Sequence, residues 1–306
     1  MFRQILTWLA AGASAAAGLV TLAGLGAPLD PRLEMINHFR PILAAAALFL
    51  LLLSFLLRAR KLIFATGALS ALSLILLLAP LAFAAPSANG ERPNLRIVSM
   101  NLWVDNRDLK QTAKFLLASN ADVIVLQEVL CAASDPLFDD LRAAYPHIHR
   151  KNERCFGQAI LSKHPMVATG REDYRHRQPI WLWAEIVLGT QRVRITGVHL
   201  SHPTQPLDQV ANMGRLSNYA KDVATPHIIA GDFNLTPYSW LLNKFAYRSS
   251  LRRSGTFTAS WPGHRAYPFF LIDHVFVSKE FLRANFAVGA NAGSDHRPVT
   301  ADLVLR

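Results

Sequence analysis

Cysteine is nearly absent from this chain of 306 residues, which has only Cys131 and Cys155. No second cysteine pair exists to complete a four-cysteine set, which argues against a structural zinc site. An oxidising compartment would favour a disulfide between the two, stabilising by about 3 kcal/mol in the loop-entropy account. Two free thiols are the alternative. Nothing repeats at a fixed period, which removes solenoids and propellers. No run of Lys/Arg and no basic helix stands out, so the formal charge of +11 is not a nucleic-acid-binding signature. Seven of the 32 basic and three of the 21 acidic residues lie in residues 1–94, leaving +7 downstream. That moderate surplus fits an anionic substrate such as a phosphate ester, or an anionic membrane surface. It serves solubility equally well.

Charge is also missing from three long apolar stretches, about residues 5–27, 41–57 and 62–85. Each approaches the roughly 20 residues that a helix needs to cross the hydrocarbon core of a bilayer. They are apolar all round, which argues against a soluble amphipathic pair. A signal peptide would account for the first alone. Residues 1–85 are therefore expected to form three transmembrane helices. Arg3 and the Arg58-Ala59-Arg60-Lys61 turn carry the positive charge that marks the cytoplasmic side. Everything after Ala85 is then expected outside the cytoplasm of an inner membrane. Residues 86–94, with two prolines, read as a linker, and residues 95–306 as a globular domain.

Within that domain, apolar runs alternate with turn signals. Strands are expected at Leu95–Met100, Asp122–Leu126, Gln158–Ser162, Trp181–Leu188, Gln191–Leu200, Pro226–Asn234, Leu271–Ser278, Asn285–Val288 and Pro298–Leu305. Helices are expected at Arg107–Ala118, Asp135–Tyr145, Leu207–Asp222 and Tyr238–Lys244. This order implies an α/β fold, a four-layer sandwich of two packed β-sheets flanked by helices.

One design recurs: an apolar strand ending in an acid, an amide or an imidazole. Asn101, Glu128, His199, Asp232, Asn234, Asp273, Asp295 and His296 all sit at such ends. In the Gly231-Asp232-Phe233-Asn234 stretch, residues i and i+2 point the same way, so Asp232 and Asn234 can share a pocket and hold a water. Singly, each residue is ordinary, since an Asn after a strand is most often a turn residue and a His in Gly-Val-His-Leu is often structural.

Taken in order, the segments Met100-Asn101, Gln127-Glu128, Gly157–Ser162, Val198-His199-Leu200, Gly231–Asn234, Ile272-Asp273-His274 and Ser294-Asp295-His296 resemble the endonuclease/exonuclease/phosphatase superfamily with the deoxyribonuclease-I-like fold. The layout of apolar spans before the domain is similar to that of its membrane-anchored bacterial members. The resemblance implies a hydrolase acting on phosphate esters. Asp232, Asn234, His199, His296 and Asp273 would be catalytic, and Glu128, Asn101 and Asp295 would hold a divalent cation. Hard oxygen ligands of this kind suit Mg²⁺, with Mn²⁺ as an alternative. Asp232 would deprotonate water and Asn234 would position it. His296, charged and held by Asp273, and His199 would face the phosphate. Two departures stand out: Trp103 occupies a position that is Asp in some nuclease members, and a phosphate-contacting Tyr would fall near Cys155. Gln178 and Glu185 are candidate partners for His199.

The reading is a membrane-anchored phosphoesterase acting on a phosphorylated, lipid-linked substrate. The alternatives are an extracytoplasmic nuclease acting on nucleic acid and a non-catalytic membrane-bound binding module. The substrate-binding residues are not legible. Arg150, Lys151, Arg154, Arg171, Arg175, His176 and Arg177 read as a solvated basic loop or a rim for an anion. The aromatic residues of the 255–270 segment are candidates for contact with substrate or lipid. The expected sidedness is checked by fusing alkaline phosphatase after residue 90 in a bacterial host. The fusion should be active, and an inactive one contradicts the outward placement.

Overall fold

The computed structural model describes all residues except 131, 154, 155, 173–180 and 256. The disulfide expected between Cys131 and Cys155 lies outside the described residues, as do Arg154, Arg175, His176, Arg177 and Gln178. The chain divides into two compact units, residues 1–82 with 237–243, and residues 83–236 with 244–306.

The first unit is helical, with α1 at Phe2–Leu25, α2 at Glu34–Asn37, α3 at Arg40–Leu56 and α4 at Arg60–Leu78. A 3₁₀ turn extends α4 to Phe83. Its sidedness is inverted relative to a soluble protein. Ala44, Ala47, Ser54, Thr66, Ser70 and Ser73 are buried, while Trp8, Leu19, Ile42, Phe49 and Phe64 face outward. Small residues between helices and large apolar ones outside are what a bilayer selects. Some polar groups inside find partners: Ser54 and Thr66 share a hydrogen bond at 3.4 Å, and Arg40 donates to the Thr21 carbonyl at 3.0 Å, whereas the Ser70 and Ser73 hydroxyls have none. Two helices, Phe2–Leu25 and Arg60–Phe83, are long and apolar enough to cross a membrane. A third span arises only if Pro31–Asn37 and Arg40–Leu56, bent by 59°, count as one.

The second unit contains two six-stranded sheets. The first holds β1 (Leu95–Asn101), β2 (Val123–Val129), β3 (His147–Glu153), β4 (Phe156–Ser162), β11 (Phe281–Val288) and β12 (Val299–Leu305), in the order β11-β12-β1-β2-β4-β3. The second holds β5 (Met166–Glu172), β6 (Trp181–Leu188), β7 (Gln191–His199), β8 (His227–Asp232), β9 (Arg252–Arg253) and β10 (Asp273–Val277), in the order β5-β6-β7-β8-β10-β9. Alternate residues of each strand point into the space between the sheets. Ile97, Val123, Val125, Ile160, Leu182, Ala184, Ile195, Ile228, Ala230, Val275 and Ala301 fill it. The other face of the first sheet packs on α5 (Leu109–Ala118) and α6 (Asp135–Leu141) through Val98, Met100, Leu116, Leu126, Phe138 and Leu141. Trp181 meets Tyr219 of α7 (Pro206–Asp222). Phe245 of α8 (Trp240–Ser249) closes on Phe233 and Phe276. The result is the expected four-layer α/β sandwich.

Among the described residues, two pairs of named strands are parallel, β1 with β2 and β7 with β8. Each pair is joined by a crossover helix, α5 and α7 respectively. The C-terminal ends of a parallel pair are where α/β sheets hold their sites. Here those ends are Asn101 and Glu128 on one sheet and His199 and Asp232 on the other.

Two features differ from the expectation. Residues 147–153 and 166–172 are strands at the sheet edges, so Arg150, Lys151 and Arg171 are not in a loop. Polar residues occupy both faces of these edge strands, which hides them from a periodicity argument. Arg150 is engaged by Asp135 at 2.7 Å and lies over the Phe138 ring. The linker, too, is docked. Ala85 N–H donates to the Arg253 carbonyl, Arg283 N–H donates to the Pro86 carbonyl, and Ala88 N–H donates to the Arg283 carbonyl, at 2.8, 2.8 and 2.9 Å. Ala88 is buried with Leu282 and Val304. Residues 84–88 thus run along the open edges at β9 and β11 and satisfy backbone groups there.

Gly231 has φ +152°, and a Cβ there would lie 1.9 Å from the Val198 carbonyl oxygen. The approach brings β7 and β8 close enough to juxtapose His199 and Asp232. Gly231→Ala is therefore expected to cost about 2 kcal/mol or more and to lower the Tm by several degrees in a thermal melt. An unchanged Tm would show that the close approach is not needed.

Candidate active site

The site is built from strand ends. Asn101 closes β1 and is fully buried. Its amide N–H groups donate to Glu128 Oε1 at 2.9 Å and Asp232 Oδ2 at 3.2 Å. Its Oδ1 accepts the Trp103 N–H at 2.9 Å. Asn101 therefore ties the two sheets together, and one lone pair of its oxygen remains for a cation.

Glu128 sits at a bulge in β2: its neighbours Gln127 and Val129 pair with Gln158 and Gly157, and Glu128 pairs with neither. Its φ is +54°, uncommon for a residue other than Gly, Asn or Asp. A bulge re-aims a side chain, and strained backbone of this kind gathers at functional sites. Glu128 Oε2 accepts the Val104 N–H at 2.9 Å, which leaves Oε1 facing the pocket with Asn101.

Asp232 ends β8 and is 1% exposed. Its Oδ1 accepts the Asn234 N–H at 2.8 Å. Its Oδ2 lies 3.7 Å from His199 Nε2 and 3.7 Å from His296 Nε2. His199 Nε2 is also 3.8 Å from Glu128 Oε1. Asn234, with φ +53°, holds the turn by donating to the Leu200 carbonyl at 3.0 Å. Gln209 of α7 donates to the Asn234 carbonyl at 3.2 Å.

His296 Nδ1 donates to Asp273 Oδ2 at 2.9 Å. Asp273 Oδ2 also accepts the Ser260 hydroxyl at 2.6 Å. Ser294 fixes the segment: its hydroxyl donates to the Asn101 carbonyl at 2.7 Å and accepts the His296 N–H at 3.0 Å. Asp295 Oδ2 accepts the indole N–H of Trp261 at 3.1 Å, and Asp295 Oδ1 is buried without a hydrogen-bond partner.

The electrostatics follow from burial. Loss of water pushes the Asp232 carboxyl upward; nearby His296 and His199 pull it down, Asp273 adds to the rise, and the net shift is up. Burial alone would lower His296, but Asp273, Asp232 and Asp295 outweigh it and raise the imidazole to about 10. Asp295 is raised by burial against the pull of His296. His274, by contrast, is driven down to about 3 by burial, and its Nε2–H donates to the Leu235 carbonyl at 2.7 Å. It is a neutral structural residue against Phe233.

The eight residues thus meet in one place, although Asp273 opens β10 and Asp295 and His296 lie in the segment between β11 and β12. Asp232, Asp273 and His296 present ligand atoms within 4.8 Å of one another. As a metal cage this trio is poor, because Asp273 Oδ2 is already taken by His296 and Ser260. The donor set on the other side fits a hard divalent cation better: the orphaned Asp295 oxygen and Glu128, whose negative charge reinforces the rise at Asp295. Glu185 is not the partner of His199, for it pairs with Arg194 at 2.6 Å. Ser260, Trp261 and Gln209 were not picked out as site residues by the sequence. Serine and glutamine at these places carry no distinguishing pattern. Trp261 was visible only as one of several aromatics.

The model of the Endonuclease/Exonuclease/phosphatase family matches residues 98–296, which is most of the second unit. The chain belongs to this family. No curated protein sequence matches it. Among solved structures, a family member from Beutenbergia cavernae is similar with 23% identity and a TM-score of 0.56, over 70% of this chain and 72% of that one. The mannosyl-6-phosphatase of Bacteroides thetaiotaomicron is similar with 18% identity and a TM-score of 0.54, over 69% of this chain and 100% of that one. D. rerio TDP2, in complex with a single-stranded DNA product, is similar with 16% identity and a TM-score of 0.57, over 69% and 98%. At these identities the family likeness fixes the fold, with phosphatase and DNA-binding proteins on the same frame.

A raised imidazole contributes stability that is present below the ordinary range near 6.5 and is lost as pH climbs through about 10. In ¹⁵N NMR of labelled histidine, His296 should remain imidazolium across neutral pH. In Asp273→Asn it should titrate lower. A His296 signal that is neutral at pH 8 would contradict the arrangement.

Proposed function

We propose that this family member is a divalent-metal-dependent phosphoesterase. The observation that carries the reading is the convergence of His199 Nε2 and His296 Nε2, each 3.7 Å from the buried Asp232 Oδ2. Two imidazoles and a carboxylate facing one small volume match a tetrahedral anion and an attacking water. A structural core has no need of them.

Asp232 accepts a proton from the water, whose oxygen forms a bond to phosphorus as the P–O bond to the leaving group breaks. Asn234 holds Asp232 in register through its backbone N–H. His296, kept charged by Asp273, donates through Nε2–H to a phosphoryl oxygen as negative charge builds there. His199 faces the same anion from the other sheet. Glu128 and Asp295, with Asn101 beside them, would hold Mg²⁺, with Mn²⁺ as the alternative. When bound, the cation neutralises phosphate charge and lowers the cost of in-line displacement.

The substrate proposed is a lipid-linked phosphate or diphosphate. The support is the first unit, whose apolar helices exceed what tethering a domain requires. Trp103, where some nuclease members carry Asp, weakens the nucleic-acid alternative. The membrane placement proposed is an inner membrane with the domain on the extracytoplasmic side, supported by the charge of the Arg58–Lys61 turn.

The test is Mg²⁺-dependent phosphate release by the detergent-purified chain from isoprenyl diphosphates, set against nicking of plasmid DNA. Release without nicking is expected, and nicking alone would favour the nuclease. Asp232→Ala and His296→Ala should each lower kcat by about 10²–10⁴-fold. Glu128→Ala should raise the Mg²⁺ concentration needed for half-maximal rate. If all three variants keep wild-type rates, the roles assigned here are wrong.

A further inference from the structure

The segment from Ser260 to Phe270 is a loop closed on itself and fastened to the site. Trp261 and Phe270 pair across its neck: the Phe270 N–H donates to the Trp261 carbonyl and the Trp261 N–H to the Phe270 carbonyl, both at 2.9 Å. From one side of the neck, Ser260 donates to Asp273 and Trp261 donates to Asp295. From the other, the segment after His296 grips the loop. Arg297 N–H donates to the Ser260 carbonyl at 2.8 Å, and its guanidinium donates to the carbonyls of Gly263, Arg265 and Ala266 at 3.4, 3.0 and 3.3 Å. The Gly263 N–H donates to the Asp295 carbonyl. Gly263 has no room for a side chain, since a Cβ would lie 2.8 Å from Arg297 N and from His296 C.

The Ser260 hydroxyl, the Trp261 indole N–H and the backbone carbonyls of Gly263, Arg265 and Ala266 are thus turned toward Asp273, Asp295 and Arg297, while the His264 and Arg265 side chains are exposed beside the tip. The large apolar side chains are turned outward. Tyr267 is 87% exposed and Phe269 57%. Phe269 stands edge-on to both Trp261 and Phe270, at 6.4 and 4.9 Å between ring centroids. Trp261 and Phe270 are stacked at 6.1 Å. The exposed tip therefore continues, ring to ring, down to the indole that holds Asp295. Aromatic surface left in water on a loop this well braced is costly unless something covers it.

We propose that this loop is the recognition surface for the apolar chain of the substrate, with Tyr267 and Phe269 as the contact residues. The inference rests on the phosphoesterase reading above. The occupant follows from two facts. The loop is bonded to Asp273, which holds the phosphate-facing His296, and to Asp295, proposed for the cation, so what lies on it is beside the phosphate. The same chain carries helices fit for a bilayer, the place where a phosphate with a long apolar tail resides. A hydrophilic phosphate ester has no use for this surface.

The test separates binding from turnover. Asp232→Asn removes the proposed base while keeping side-chain shape, so equilibrium binding can be measured without reaction. On that background, farnesyl diphosphate and dimethylallyl diphosphate are compared; they share a head group and differ in the length of the tail. The longer compound should bind more tightly. Adding Tyr267→Ser and Phe269→Ser should weaken the longer compound by about tenfold or more and the shorter one by much less. Both residues are at the surface, so a folding defect is not expected, and an unchanged Tm checks this. Equal affinities for the two compounds, or equal weakening of both, overturns the inference. Neither result bears on whether the wild-type chain releases phosphate from some other ester with Mg²⁺, so the phosphoesterase reading stands or falls separately.

Discussion

Four carboxylates crowd one pocket where the two sheets meet, and the site is organised by what keeps them there. Glu128, Asp232, Asp273 and Asp295 would repel one another if left to themselves, and burial removes the water that would screen them. The structure offsets this with one buried imidazolium, His296, in contact with two of the four, and with Asn101, whose amide bridges two of them. The remaining imbalance lies on the Glu128 and Asp295 side, where a carboxylate oxygen has no partner. A cation there would balance the charge. The same imbalance would draw a metal and then a phosphate, so the stability problem and the chemistry have a common solution.

The backbone bears the strain of holding this arrangement. Glu128 and Asn234 adopt positive φ, and Gly231 lies against the Val198 carbonyl. Each departs from ordinary strand geometry at the point where a strand delivers a functional side chain. Two parallel pairs in otherwise antiparallel sheets place four strand ends side by side, and the core between the sheets fixes their spacing.

Much of this was legible in the sequence. Asn101, Glu128, His199 and Asp232 stand at the C-terminal ends of strands that were expected from the sequence, because an apolar strand and a polar terminus are both local signals, whereas Asp273 opens β10 and Asp295 and His296 lie in the segment between β11 and β12. The edge strands at 147–153 and 166–172 were not legible, since a strand exposed on one edge need not alternate. The docking of residues 84–88 was hidden for another reason: its hydrogen bonds go to Arg253 and Arg283, far along the chain, and use backbone atoms that any sequence possesses. Ser260 and Trp261 escaped notice because their roles depend on where Asp273 and Asp295 lie in space. In the helical unit, composition revealed apolar helices, but the 59° bend between Pro31–Asn37 and Arg40–Leu56 is a tertiary feature that hydropathy does not contain.

The account turns on water activated at Asp232 attacking phosphorus. Turnover of a lipid monophosphate in ¹⁸O-labelled water tests that directly, with the label followed by mass spectrometry into both products. Attack at phosphorus predicts label in the released phosphate and none in the leaving alcohol. Label in the alcohol would place bond cleavage on the carbon side and would contradict the role given to the two imidazoles and Asp232.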